Sequence, residues 1–413
     1  MLLALLLAAT PDVTAQTFLA DLRAARAPQV ATVLGEKLKA AISGDALIAA
    51  WKQATDPLGA FVSLEQTQTA QQGGLTVFIH TATFEKGALQ LTTAVDPARS
   101  TIEGFFIKPL MPTLPATPAP KASYVDAAAF TSVEVKVGKA PFELPGTLTL
   151  PKGKGPFPGV VLVHGSGPQD RDETVRANTV FKDLAEGLSS KGVAVLRYDK
   201  RTFVYGKQYA GKDITFAEEV IDDAAAAVEL LHARAEVKHV YVVGHSLGAL
   251  LAPSVAARAK GLVTGVVLLA PSSRKPWDIL SQQTKFLGAP AEKVAELDAA
   301  FAELRLGGKP QGLVLNVPAS YWREWADYDG PAVAKGLGLP LLVMHGARDY
   351  QVIDEDLAGW KKGLANVKSV EFVELPKLNH LFVAGEGPPS PKEYEVPSHV
   401  APELVERLVK FVR

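Results

Sequence analysis

The chain has 413 residues, 47% of them apolar and 21% charged, with a formal net charge of -1. That length suits two domains with substantial cores, and the balanced charge supplies no general field for nucleic acid or an anionic membrane, which leaves small-molecule chemistry as the better expectation. Cysteine is absent, so disulfides, thiol nucleophiles and thiolate metal sites are excluded.

The opening "MLLALLLAATPDVTAQ" is an apolar run too short to span a bilayer, followed by Val13 and Ala15 spaced as in a signal-peptidase site. Export with loss of residues 1–15 is expected. A cytoplasmic location is the alternative, because no Lys or Arg precedes the run. No later stretch has the length and apolarity of a transmembrane helix. From Thr14 to about Asp56 apolar residues recur at helical spacing, with Pro28 breaking the run and Gly44 ending it, which predicts two or three short helices. After "QQGG", the alternating stretches "LTVFIHTATFE", "GALQLTTAVD" and "TIEGFFIKP" predict an antiparallel meander. Together they make a small α+β domain over 16–108, the natural place for any homo-oligomer contact. Five prolines between 109 and 120 mark a semi-rigid linker, placed at 109–123.

Beyond the linker the pattern changes. "SVEVKV" and "GTLTLP" read as a leading antiparallel pair, and "GVVLVHG", "VAVLRYD", "VKHVYVVGHS", "VTGVVLLAP" and "LPLLVMHG" read as strands buried on both faces. Helical patterns lie between them, so residues 124–413 should form a doubly wound, mostly parallel α/β sheet. The stretch from about 272 to 337 is too long for a crossover and is expected to be an inserted helical cap.

In open α/β sheets ligands bind beyond the carboxyl ends of the strands, and several reactive residues sit there. In "GHSLG", Gly244 and Gly248 flank Ser246 where a strand pattern gives way to a helix pattern, the setting of a nucleophile elbow. A serine hydroxyl needs a base, and the base needs an orienting acid. Of the eight histidines, His380 in "LPKLNHLF" follows the last predicted strand and starts a loop able to reach over the sheet. His164 and His345 end strands in "VHG" and "MHG", where a histidine can as easily brace loops by hydrogen bonds as do chemistry. Asp349 in "MHGARDYQV" closes a buried strand between the other two in sequence, whereas Asp354 and Asp356 read as charges at the start of the next helix. The oxyanion donors should be the backbone N–H of Leu247 and of Ser166 in "VHGSGPQDRDE". Asp170, Arg171 and Asp172 read as an ion-pair brace of that loop, and Tyr321, Trp322, Trp325 and Tyr328 as cap core. No phosphate loop, dinucleotide fingerprint or metal-ligand cluster is present in the sequence, and no metal or organic cofactor is implied.

The blocks "HGSGPQDRDE", "RYDKR", "GHSLG", "HGARDYQV" and "LNHLFVAGEG" share the order and approximate spacing of bacterial α/β-hydrolase carboxylesterases of the EstD type, which the chain resembles from about Tyr124 to Arg413. The N-terminal segment is similar to the small domains of the nuclear transport factor 2-like kind that precede such esterases. The resemblance implies an α/β-hydrolase fold, hydrolysis of carboxylic esters through an acyl-enzyme, and a triad of Ser246, Asp349 and His380. "RYDKRTFVYG" departs from the commoner Arg-Gly continuation, which bears on pocket shape. A peptidase, amidase or acyltransferase on the same residues, or a non-catalytic binding protein, stays open at this point, because triad chemistry does not name the leaving group.

Overall fold

The computed structural model describes residues 10–110, 121–209, 212–315 and 317–413. The chain divides into two compact units between residues 117 and 118. Among the described residues no helix is long and apolar enough to cross a membrane.

In the first unit, helices Pro11–Arg23, Ala27–Thr32, Glu36–Ala41 and Gly44–Thr55 precede four antiparallel strands in sequential order. These are β1 (Phe61–Gln72), β2 (Leu75–Phe84), β3 (Gly87–Asp96) and β4 (Thr101–Leu110). The helix count exceeds expectation by at least one because Gly44 opens a helix instead of ending one, with Ser43 Oγ capping the Ala46 N–H at 3.2 Å. Strand β1 carries no hydrophobic alternation, since its Gln- and Thr-rich length is largely exposed, and only its pairing with β2 defines it. Phe18, Leu19, Leu22 and Trp51 pack from the helices onto Phe78, Phe84, Leu91 and Ile102 of the sheet. The apolar run at residues 1–9 lies outside the described residues. Ala15, beside the expected cleavage point, is fully buried within the first helix. The Pro-rich stretch falls largely outside the described residues too, and β4 carries the domain to Leu110, slightly past the expected boundary at 108.

The second unit is built on eight strands. They are β5 (Phe130–Val137), β6 (Leu144–Pro151), β7 (Phe157–Val163), β8 (Ala194–Tyr198), β9 (Val237–His245), β10 (Val263–Leu269), β11 (Leu341–Gly346) and β12 (Val370–Leu375). Their spatial order is β5-β6-β8-β7-β9-β10-β11-β12, antiparallel at β5/β6 and β6/β8 and parallel from β8 onward. The chain order reverses around β7, which places a crevice at the strand ends near β7 and β9. Val161, Val163, Val242 and Leu268 face the helices Asp222–His232 and Leu247–Arg258, while Val160, Leu162, Val243 and Leu269 face Val180–Ser190 and Pro402–Val412. Burial on both faces explains why these strands are apolar without alternation. Between β10 and β11 lie helices Pro276–Phe286, Ala291–Ala300, Ala302–Arg305, Ala319–Asp327 and Gly330–Leu337. Trp322 packs edge-on against Phe301 and stacks on Trp325 in a small local core, whereas Tyr321 and Tyr328, expected in the same core, pack against the main core of the sheet.

Candidate active site

The serine sits where β9 turns into helix Leu247–Arg258. Ser246 has φ 54° and ψ −117°, a left-handed conformation that costs a non-glycine residue on the order of 1–3 kcal/mol and is held only by its surroundings. Those surroundings are steric. A Cβ on Gly248 would lie 2.1 Å from the Val163 carbonyl oxygen, and one on Gly244 would lie 2.2 Å from that of Gly248. Both glycines are therefore needed for the fold-back, as the spacing suggested. The Ser246 N–H donates to the Leu269 carbonyl at 2.9 Å, and the following Leu247 N–H belongs to the first helical turn, which lacks intrahelical acceptors.

Asp349 lies just beyond β11, where its Oδ1 accepts the N–H groups of Gln351 (2.7 Å) and Val352 (2.9 Å). Its Oδ2 accepts from His380 Nδ1 at 2.6 Å, and both side chains are buried. Asn379 shapes the loop that presents His380, its Oδ1 accepting from the N–H groups of Leu381 (3.0 Å) and Val383 (3.2 Å). With Nδ1 committed to the aspartate, Nε2 is the nitrogen left to take a proton. Among the described residues no hydrogen bond joins the Ser246 hydroxyl to His380. The link runs through the preceding residue, because the His245 ring lies 4.7 Å from the His380 ring, centroid to centroid, and its Nε2 donates to the His380 carbonyl at 2.8 Å.

His245 is itself held by Glu173, with Nδ1 and Oε2 3.1 Å apart in an ion-pair contact that lacks hydrogen-bond alignment. Burial opposes charge on His245, but the Glu173 carboxylate outweighs it and holds the imidazole above its ordinary value. Burial also opposes charge on Glu173, and His245 together with the Gly165 amide holds that carboxyl below its ordinary range. The other Glu173 oxygen accepts the Gly165 N–H at 2.7 Å. One buried pair thus ties the loop after β7 to the loop carrying His380.

That loop exposes Ser166 and Gly167. Lys200, buried beyond β8, donates to the carbonyls on either side of Ser166, those of Gly165 (2.9 Å) and Gly167 (3.1 Å). The expected brace is present with more distant partners. Arg171 spans Asp199 and Glu134, Asp172 pairs with Arg197 at 2.7 Å, and Asp170 accepts from Thr174 within its own loop. His164 donates from Nε2 to the Asp170 carbonyl, and burial lowers its pKa to about 4, so it is neutral near pH 7. His345 contacts Asp354 at 3.0 Å. Asp356 does more than charge a helix end. Fully buried, it accepts from the N–H groups of Ser273 and Arg274 and from the Arg274 guanidinium, anchoring the start of the helical segment between β10 and β11.

Sequence reasoning did not single out Glu173, His245 or Lys200 as functional, although all three lie inside quoted blocks. Their signal is conformational. Glu173 has φ 47°, and only the resulting turn aims its carboxylate at His245.

A mixed sheet that carries its serine turn, acid and histidine beyond the ends of β9, β11 and β12 defines a hydrolase class, and residues 160–394 match the Alpha/beta hydrolase family. The chain belongs to that family. It is 37% identical over 379 residues to Esterase EstD of Thermotoga maritima, covering 91% of this chain and 89% of the relative. Residues 15–105 match a protein family of unknown function, DUF3887. Among solved structures it resembles Est1E from Butyrivibrio proteoclasticus (18% identity, TM-score 0.44, 67% of this chain and 96% of that one). It also resembles the Pyrococcus furiosus esterase Pf2001 (17% identity, TM-score 0.44, 71% and 96%).

Proposed function

We propose that the chain is a serine carboxylesterase acting through an acyl-enzyme on esters of short to medium acyl chains. Ser246 attacks the ester carbonyl, His380 Nε2 takes its proton and returns it to the leaving alcohol, and Asp349 orients the imidazole and balances its charge. The Ser166 and Leu247 amides receive the oxyanion, and water then repeats the sequence in reverse. One observation carries this reading: a buried Asp349–His380 pair at 2.6 Å, tied through His245 to a serine held in a left-handed strand-to-helix turn. The 37% identity to an esterase along nearly the whole chain supports the ester as substrate class.

Hydrolysis of p-nitrophenyl acetate, butyrate and longer esters by the wild type and by Ser246→Ala tests it. Turnover confined to the wild type is expected, falling for the longest chains. Equal turnover in the two proteins would sink the nucleophile. Turnover of p-nitroanilides in preference to esters would move the reading to an amidase or peptidase, and transfer of the acyl group to an added alcohol would move it to an acyltransferase. Absence of labelling by a fluorophosphonate would leave only binding.

Export belongs to the same proposal, supported by the apolar start and the Val13/Ala15 spacing. N-terminal sequencing of protein recovered outside the cytoplasm would show Gln16 first if cleavage occurs, and Met1 or a start within the helix at another position would refute that site.

A further inference from the structure

The groups behind the exposed turn at Ser166 form a line that ends in the cap. Lys200 is 2% exposed, and its ammonium meets the Gly165 and Gly167 carbonyls and, at 2.7 Å, Glu219 Oε1. Glu219 is 5% exposed and accepts on Oε2 from the Tyr321 hydroxyl at 2.5 Å. It lies in the one-turn π-helix Ala217–Ile221, a rare geometry that turns this carboxylate toward both partners. Tyr321 belongs to cap helix Ala319–Asp327, and its ring packs edge-on against Phe216 at 5.1 Å. A cap carboxylate, Glu324, accepts the Phe216 N–H at 2.9 Å, so the segment leading into the π-turn is held from the cap at two points.

Peptide geometry gives this line a consequence. The Gly165 carbonyl and the Ser166 N–H belong to one planar trans peptide and point in opposite directions. An ammonium on that carbonyl therefore fixes where the Ser166 N–H points, away from Lys200, and draws electron density from it, which makes it a stronger donor. The preceding peptide is held by Glu173 on the Gly165 N–H, and the Gly167 carbonyl is held by Lys200 again. An exposed three-residue turn is thus clamped from its buried side. A buried lysine is costly without a partner; Glu219 supplies one, and its own remaining oxygen is met by the cap tyrosine, which completes the partnering of that buried carboxylate.

We propose that Lys200 is the positioning residue of the oxyanion hole and that Tyr321, through Glu219, makes its setting depend on the docked cap. This rests on the serine-esterase reading and names the residues that would tune its transition state.

The test compares wild type, Tyr321→Phe, the charge-neutral pair Lys200→Met/Glu219→Gln, and Ser246→Ala on an oxygen ester and its thionoester. The double variant leaves no stranded charge, and Tyr321→Phe keeps the ring. Loss of one oxyanion donor costs about 100-fold or more in kcat, so the double variant should lose about that much with KM within about twofold, and Tyr321→Phe about 3- to 10-fold. The discriminating readout is the oxygen-ester to thionoester rate ratio, which a well-aimed amide favours and which should shrink in both variants. A merely structural role would lower melting temperature and slow both substrates alike, leaving the ratio unchanged, and that result would overturn the proposal. If the double variant does not fold, an unchanged ratio in Tyr321→Phe overturns the link to the cap and a reduced one supports it. Activity surviving in Ser246→Ala would instead remove the esterase reading itself, independently of these ratios.

Discussion

The catalytic unit meets its buried charges with partners: Asp349 with His380, Glu173 with His245, Lys200 with Glu219, Asp356 with Arg274. In the N-terminal unit His80 and Thr93 are buried on the core face of β2 and β3, and among the described residues neither the two imidazole nitrogens nor the hydroxyl has a hydrogen-bond partner. The difference is one of charge. Partnering a buried charge is obligatory, because an unpaired one costs several kcal/mol, whereas an uncharged imidazole can be carried at a smaller penalty. Burial lowers the His80 pKa against an opposing contribution from Asp12, which keeps the ring neutral. The second unit therefore spends stability on paired charges at its strand ends, where the proposed chemistry would use them, whereas the N-terminal unit has its buried Asp21 paired with Arg26 on its helical side and leaves uncharged polar groups in its sheet core.

The largest effect should come from breaking the pair that the proposed reaction uses. Asp349→Asn retains the shape and the Gln351 and Val352 contacts but loses the negative charge that selects the His380 tautomer, so kcat should fall by about 10⁴ with little change in KM. Steady-state kinetics with a melting curve checks it, and a loss below tenfold would remove Asp349 from the triad.

Next in size is steric. Gly248→Ala forces a methyl against the Val163 and His164 carbonyls, backbone groups that cannot swing aside, and overpacking of this kind should cost about 3 kcal/mol. Urea denaturation measures it. A cost near zero would mean that the turn relaxes, and the strained Ser246 geometry would no longer be argued from these glycines.

The Glu173–His245 pair gives a smaller effect with a pH signature. His245 has a raised pKa, so its contribution is complete below its ordinary 6.5 and is lost as pH rises through the raised value. Glu173 has a lowered pKa, so its contribution is complete above its ordinary 4.5 and is lost as pH falls through the lowered value. His164, His380 and Asp349 are the other titratable groups facing the pair. Glu173→Gln should therefore cost about 2 kcal/mol between pH 4.5 and 6.5, and the deficit should shrink above the raised His245 value. Melting temperature against pH for both proteins reads this, and a deficit independent of pH would show that the pair is not ionised.

The unequal visibility of these groups in the sequence has a physical cause. Ser246 and Asp349 are legible because each follows an apolar run that ends abruptly, His380 because it opens the loop after the last strand pattern, and Gly244 and Gly248 announce the fold-back. The parallel strands are legible because burial on two faces removes alternation. Strand β1 is not, since its stability lies in the β2 ladder and leaves no apolar pattern of its own. Glu173, Lys200 and Glu219 are written in ordinary charged surroundings, and their convergence depends on a left-handed residue and a π-turn, neither of which has a composition.

The smallest prediction returns to the N-terminal unit and runs in the opposite direction. A buried polar group without a partner costs roughly 1–3 kcal/mol, and replacing it with an apolar group of similar volume recovers part of that. His80 is 2% exposed beside Phe78 and opposite Leu91, surroundings that an aliphatic side chain would suit. His80→Leu should stabilise the protein by about 1 kcal/mol, with the gain greatest at acid pH, where the wild-type imidazole must either charge in an apolar site or unfold to do so. A group with a depressed imidazole pKa loses stability as pH falls below its ordinary 6.5, and the substitution removes that loss. Denaturation of the full chain at pH 5 and pH 8 would test both the sign and the slope. Destabilisation at both would mean that the imidazole is partnered in solution after all, and the contrast between the two units would then lie in the identity of the partner rather than in its absence.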